Sequence, residues 1–277
     1  MPTSLCQQFS NMRNRTSYTA MVDILAALKR YPLAGVLGWQ DVRQRYRRSA
    51  LGPLWITVSM GVMIATIGVV FGQIFKSPMN EFLPFLTIGM VIWTFMATVI
   101  TEGAVGFISA EAIIKQLPIP LFVHIMRMIW RNILILAHNF LIFPVVMLWA
   151  GKSLGWEALL SIPGAALLII NLAWIVLLLA IMCARYRDLP QIVTSVLQVL
   201  FYLTPIMWLP KLLPQRAKLF LLDYNPVTHL LEIVRMPLLG EMPSDLNWIF
   251  SICMAIIGWA VALIIFGHYK RRIAYWL

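Results

Sequence analysis

Residues 51–75 read LGPLWITVSMGVMIATIGVVFGQIF, twenty-five positions without a charged side chain. A helix rises about 1.5 Å per residue, and the hydrocarbon core of a bilayer, about 30 Å thick, takes about twenty residues. The segment shows no alternation of apolar and polar residues, which disfavours a membrane strand. We therefore expect it to cross a membrane as a helix.

The composition of the whole chain points the same way. Of its 277 residues, 61% are hydrophobic and 12% are charged, and the mean hydropathy is +0.82. Soluble domains carry about 25% charged residues, so this chain has too few to cover a soluble surface. A soluble enzyme, a disordered chain and a disulfide scaffold are all disfavoured.

Further apolar runs extend the pattern to six membrane spans within a single all-α domain, residues 1–277. The predicted spans cover residues 51–75, 82–108, 121–150, 158–184, 189–210 and 246–269. With six spans both termini share one side, which collects 16 of the 22 Lys and Arg residues. The positive-inside rule makes that side cytoplasmic. The net charge of +11 is thereby explained without a nucleic-acid partner.

The outer segment 211–245 is longer than a simple loop. Its two apolar pieces are too short to span and flank Asn225-Pro226. We expect a re-entrant helical hairpin that dips into the membrane from the outer side, where only protein or a water-filled cavity can cover irregular backbone. The alternative is a surface loop with a short amphipathic helix.

The N-terminal segment, residues 1–50, has no apolar core of the signal-peptide type and is expected to stay in the cytoplasm. Near its end, Trp39, Val42 and Tyr46 share one helical face. The opposite face carries Asp41, Gln44, Arg45 and Arg48, flanked by Arg43 and Arg47. This pattern predicts an amphipathic helix on the cytoplasmic membrane surface.

Three charges fall inside predicted spans: Glu102, Arg127 and Arg131. Each costs about 2.5–3.5 kcal/mol at mid-bilayer. Adjacent antiparallel helices bring Glu102 and Arg127 to the same depth, with Arg131 one turn further along. We expect Glu102 to pair with one of the two arginines. The alternative is that the arginines reach the head groups and Glu102 faces a wet cavity.

Between the second and third spans, residues 109–118 read SAEAIIKQLP. They predict a short cytoplasmic helix with Ser109 as N-cap, Glu111 at the positive end of the helix dipole, and Pro118 as terminator. Such a helix suits the transmission of force from a soluble partner, although a plain connector fits the pattern too.

Catalytic and metal-binding motifs are missing from the sequence. It contains no HExxH or GxGxxG, the run GKSLG (151–155) falls in a short outer turn predicted between two spans, and its four histidines are scattered. The three cysteines, Cys6, Cys183 and Cys253, form no metal-ligand spacing. We predict no catalytic residue, no metal and no cofactor, and hence no enzyme.

Three aromatic residues lie deep in predicted spans or at the outer mouth: Trp93, Tyr202 and Trp208. Aromatic faces stack well on sugar rings, so these side chains are candidates for lining a glycan path. For each one alone, packing against lipid or core is the competing interpretation.

Four sequence segments together resemble a known family, in the same order along the chain. They are RYRRSALGPLW (45–55), RYRDL (185–189), YLTPI (202–206) and YNPVTH (224–229). They resemble the permeases of bacterial polysaccharide ABC exporters, which include O-antigen, capsule and teichoic-acid permeases. The segment at Ile113–Pro118 is similar to the cytoplasmic coupling helix of these permeases.

The resemblance implies a homodimer that works with two copies of a separate cytosolic ATPase. This assembly moves an undecaprenyl-pyrophosphate-linked polysaccharide of O-antigen type across the bacterial inner membrane. Coupling to the ATPase is then expected at Glu111, Ile113, Ile114 and Lys115. The lipid diphosphate or head groups are expected at Arg43, Arg45, Arg47 and Arg48, through charge-assisted hydrogen bonds or simple lipid anchoring.

Other functions are compatible with the same topology. The chain could serve an ABC exporter of another lipid or of drugs, a membrane-embedded glycan polymerase or acyltransferase, or a passive structural subunit. The polymerase and acyltransferase classes usually need paired acidic or histidine residues, and only Glu102 is a candidate here.

Overall fold

Helices form almost all of the chain that the computed structural model describes, namely residues 18–45, 47, 52, 54–210, 214 and 219–277. No β-strand occurs in these ranges, which confirms the all-α class. The helices are α1 (18–29), α2 (Tyr31–Arg45), α3 (Leu54–Phe75), α4 (Met79–Ala104), α5 (Gly106–Ser109), α6 (Glu111–Gln116), α7 (Phe122–Phe140), α8 (Ile142–Trp149), α9 (Ser161–Arg185), α10 (Leu189–Leu203), α11 (Pro226–Leu238) and α12 (Asp245–Trp276).

Within the described ranges, five helical segments are long and apolar enough to cross a membrane. They are α3, α4, α7 with α8 (Phe122–Trp149), α9 with the 3₁₀ turn before it (Trp156–Arg185), and α12. The shortest has 22 residues, which exceeds the roughly twenty that a bilayer core requires. Five of the six predicted spans are thereby confirmed as helices of spanning length.

The sixth predicted span, 189–210, is helical only in its first part. Helix α10 has 15 residues and ends at Leu203, where Thr204 turns to an extended conformation with φ −88° and ψ 139°. The cause is Pro205, because the proline ring disfavours the helical conformation of the residue before it. At 1.5 Å per residue, α10 is about 22 Å long and stops short of a full crossing.

Helix α4 is the central element of the bundle. Most of it is buried, whereas most of α3 is exposed. It packs against α3, α7, α8, α9, α10 and α11, while α12 lies along α9. In α10 only Leu197 is buried. The apolar faces of α3 and α10 are therefore left uncovered within this single chain.

The described part of segment 211–245 contains a π-helical turn (Leu219–Asp223) and α11. Asn225 caps α11 because its Oδ1 accepts from the Val227 N–H at 3.0 Å, and Pro226 occupies the first turn. The residues from Thr228 to Arg235 are all buried. Residues 211–213 and 215–218 of the predicted hairpin lie outside the described residues.

Candidate functional site

Basic side chains occur at the end of α2 and just beyond it. Arg43 and Arg47 are exposed. Arg48 and the side chain of Arg45 lie outside the described residues. The side chains of Arg43 and Arg47 are therefore accessible to solvent.

The polar face of α2 differs from the sequence prediction. Of the predicted apolar face, Val42 is buried and Trp39 is exposed, and Tyr46 lies outside the described residues. Asp41, predicted to lie on the face opposite Trp39, turns into the bundle. The reason is electrostatic, because two arginines of α7 face this point of α2 and need a counter-charge.

Four charged side chains join α2, α4 and α7 in one network. Arg127 Nε donates to Asp41 Oδ2 at 2.8 Å, and Arg131 Nη1 donates to the same oxygen at 3.2 Å. Arg131 Nη2 donates to Glu102 Oε2 at 2.7 Å, and that oxygen also accepts from Asn132 Nδ2. All four charged side chains are at least three-quarters buried. Two carboxylates thus balance two guanidinium groups.

Of the two arginines expected near Glu102, the structure brings Arg131 into contact and directs Arg127 to Asp41 instead. The network borders a cavity of about 170 Å³ that is also lined by Ser109 and His124. Both ring nitrogens of His124 are buried and have no hydrogen-bond partner among the described residues. The cavity is polar enough to hold water.

The predicted cytoplasmic helix is present as two short pieces, α5 and α6, with a break at Ala110. The prediction that Ser109 caps it is wrong. Ser109 lies at the end of α5, where its Oγ donates to the Gly106 carbonyl, and Ala110 stands at the N-cap position of α6. A hydroxyl in the last turn satisfies a carbonyl of the preceding turn rather than an N–H group ahead.

No residue of α6 is buried, and its charges pair along the helix. Lys115 Nζ lies 2.6 Å from Glu111 Oε1, one turn apart. The hydrogen bond from Lys115 holds the pKa of Glu111 below its ordinary value, and the charges of Lys115 and Arg187 add to this effect. Ile113 and Ile114 are half-buried. The exposed side of α6 therefore presents a hydrogen-bonded ion pair rather than an apolar patch.

Asp23 in α1 is a structural residue that the sequence analysis missed. Its carboxylate accepts from the backbone N–H groups of Leu121 and Phe122, at 3.3 and 3.1 Å, and so caps α7 from a distant helix. Lys270 in α12 completes the site at 2.8 Å. The available signal was a single carboxylate, the first acidic residue of the chain, within the apolar run MVDIL (21–25).

A second buried ion pair lies in α11. Arg235 is fully buried, pairs with Glu232, and donates through Nη1 to the Pro205 carbonyl at 2.5 Å. Its guanidinium carbon also stands 4.0 Å from the centre of the Phe85 ring. Arg235 therefore ties α11 to α4 and to the point where α10 ends.

The three candidate glycan-path aromatics gather near the end of α10. Trp93 is buried and packs on Phe201, with ring centres 5.6 Å apart. Tyr202 packs edge-on against the Phe201 ring, and its side chain is largely exposed. Trp208 Nε1 donates to the Tyr202 carbonyl at 3.1 Å. Tyr202 and Trp208 retain accessible surface, whereas Trp93 is a packing residue.

Among the described residues, no group of three or more His, Cys, Asp or Glu side chains could hold a metal ion. Cys183 is buried and Cys253 exposed, in different helices.

Comparison with known proteins gives a consistent result. The profile of a family described as "ABC-2 type transporter" matches residues 33–239. An "O-antigen export system permease protein RfbA" of Klebsiella pneumoniae is 24% identical over 88% of this chain and 94% of its own length. A protein of the same description from Myxococcus xanthus is 23% identical over 69% of this chain and 74% of its own length.

Proposed function

Because this chain belongs to the ABC-2 type transporter family, we propose that it is the membrane-spanning permease of a polysaccharide exporter. The substrate is a glycan of O-antigen type linked to undecaprenyl pyrophosphate, and a separate ATPase supplies the energy. The observation that carries the proposal is the similarity to an O-antigen export permease over 94% of that relative's length.

In this proposal, α6 receives the force of the ATPase through Glu111, Ile113, Ile114 and Lys115. Helix α6 is exposed and follows α5 after a single residue. Helix α5 packs on α7 and α9, and the charge network of Asp41, Glu102, Arg127 and Arg131 lies beside it. A push on α6 then reaches the spans through packed helices rather than through a flexible loop.

The lipid diphosphate of the substrate meets the cytoplasmic end of α2. Arg43, Arg45, Arg47 and Arg48 supply cationic donors there, and Arg43 and Arg47 are exposed. Guanidinium groups bind phosphate oxygens with two parallel hydrogen bonds, a geometry that a lysine cannot reproduce.

The transport path forms between two copies of the chain. The uncovered apolar faces of α3 and α10 are surfaces for such a dimer, and Tyr202 and Trp208 supply accessible aromatic rings near the end of α10. Helix α10 together with the segment after Leu203 makes the sixth crossing, so that both termini face the cytoplasm of the inner membrane. Helix α11 forms the buried arm of a re-entrant hairpin on the outer side.

Deletion of the gene tests the proposal. We expect loss of surface polysaccharide and accumulation of the lipid-linked glycan inside the cell, restored by a plasmid copy. Normal surface polysaccharide combined with a defect in the export of another lipid or of drugs would overturn the proposed substrate in favour of the alternative exporter function.

A further inference from the structure

Two apolar grooves lie side by side where α1 and α2 cross α7. The larger, about 750 Å³, is lined by α2 and α7 and includes Val36, Trp39 and Arg43. The smaller, about 330 Å³, is lined by α1, α7, α9 and α12. Met126 and Trp130, one turn apart on α7, line both grooves. Met126 and Trp130 therefore form a ridge between the two apolar grooves.

The corner between α1 and α2 lies between these grooves in the chain. Leu28 lines the smaller groove and Tyr31 lines the larger one. The two residues between them, Lys29 and Arg30, are exposed and form no ion pair with any described residue. Along the chain, two cationic residues thus lie between a residue that lines the smaller groove and one that lines the larger groove, and neither of them is itself a lining residue.

The depth of the grooves matches one leaflet. Met126 and Trp130 lie about 6 and 12 Å from the start of α7, at 1.5 Å per residue. That end of α7 is held by Asp23 of α1. The cationic corner is six to seven residues further along α1 than Asp23, so it lies within about 10 Å of that helix end, which is less than the depth of one leaflet.

We propose that this double groove is a binding site for one anionic phospholipid with two acyl chains. The phosphate lies at Lys29 and Arg30, and one chain occupies each groove on either side of Met126 and Trp130. A lipid with a single long chain would fill one groove and leave the other empty. The proposed occupant is a resident lipid of the membrane rather than the exported glycan, although Arg43, a proposed contact of the substrate, also lines the larger groove.

Lipid counting by native mass spectrometry tests the site. The full chain is placed in nanodiscs of phosphatidylethanolamine and phosphatidylglycerol and released by mild detergent. The mass of the protein with its retained lipids is then measured. We expect one retained phosphatidylglycerol for each chain.

The variant Gly35→Leu fills the larger groove. A Cβ at Gly35 meets nothing within 4 Å, so the new side chain projects into open space, and leucine favours the helix more than glycine does. We expect the retained lipid to disappear while the melting temperature of the delipidated protein does not fall. Gly61→Leu in α3 is the matched control, because its Cβ is equally unobstructed, and it retains the lipid.

The head-group contact is tested with Lys29→Gln combined with Arg30→Gln. We expect the preference for phosphatidylglycerol over phosphatidylethanolamine to fall about tenfold, since each cation contributes to attraction of an anionic lipid. Arg271→Gln combined with Arg272→Gln removes two exposed charges from the end of α12 and leaves the preference intact.

Four results would overturn the proposal. The first is equal lipid retention by the wild type and Gly35→Leu. The second is a retained lipid without preference for the anionic head group. The third is a rise in retained lipid after deletion of residues 1–17, which would make that segment the occupant of the groove. Loss of dimers in Gly35→Leu without loss of lipid would assign the surface to a second copy instead.

Discussion

Arg127 shows how a charged side chain is accommodated inside an apolar helix. The Asp41 carboxylate accepts from Arg127 through both of its oxygens, so the guanidinium group is neutralised on the protein side of the helix. Asp41 lies on a separate helix that is not a membrane span. The carboxylate therefore also fastens α2 to the bundle.

Asp41→Asn is expected to lower the free energy of unfolding by about 1–3 kcal/mol, because it leaves Arg127 without a full counter-charge in a partly buried position. Thermal unfolding of the detergent-solubilised chain measures the change. Glu241→Gln, which removes an exposed carboxylate, serves as the control. Equal melting temperatures for the two variants would contradict the structural role of the pair.

Loss of Arg235 is expected to cost more stability than loss of Asp41, because the Arg235 side chain is fully buried. Arg235→Met leaves Glu232 as an isolated buried charge, so we expect a loss of about 3–5 kcal/mol in unfolding experiments. Adding Glu232→Gln removes that charge and restores part of the loss. If the double variant is no more stable than the single one, the ion pair is not the source of the effect.

At the level of helices, close packing depends on glycine residues at the contact points. Gly164 in α9 faces the backbone carbonyl of Ile233 in α11, and Gly258 in α12 faces the Trp174 ring of α9. Small residues let helices approach closely in membranes, where burial of apolar surface from water does not drive association. Helix α9 is thus held on two sides by contacts that tolerate no Cβ.

Gly164→Ala is expected to destabilise the protein by about 1–3 kcal/mol, because the new methyl group meets backbone that cannot rotate away. Gly35→Ala is the matched control, since its methyl group meets nothing within 4 Å and alanine is the better helix former. The two melting temperatures should move in opposite directions. A shared direction would mean that glycine flexibility rather than packing decides the outcome.

Helix α6 offers a test of coupling that leaves the fold intact. Lys115→Glu reverses an exposed charge and removes a surface pair worth less than about 1 kcal/mol, so the isolated permease keeps its stability. We expect about tenfold weaker binding to the partner ATPase, measured by co-purification titration. Lys152→Glu, equally exposed in the loop after α8, should bind normally. Equal binding by both variants would remove α6 from the interface.

The length of apolar runs predicted which segments form long helices, but not where the shorter helices end. The end of α10 depends on Pro205, a signal present in the sequence yet outweighed by the apolar run around it. Asp23 and Asp41 escaped prediction for another reason. Their partners lie 98 and 86 residues away, and such contacts follow from packing rather than from local pattern.

For the molecule as a whole, the number of membrane crossings determines whether the N- and C-terminal ends of the chain lie on the same side of the membrane. We expect reporter fusions after residue 30 and after residue 277 to report the cytoplasmic side, and an insertion at residues 152–154 to report the outer side. Ends on opposite faces would mean that α10 and the segment after it return to the side on which they started. The predicted count of six would then be replaced by five.

The Asp23 site has a consequence for biosynthesis. Asp23 is synthesised before the amide groups that it caps, and Lys270 is synthesised after both. During translation the start of α7 can be capped before Lys270 is synthesised, so the charge of Asp23 is compensated only later. A chain truncated before Lys270 would keep the two amide donors of Asp23 but lose the neighbouring cation, so the carboxylate would carry an uncompensated charge next to the start of α7.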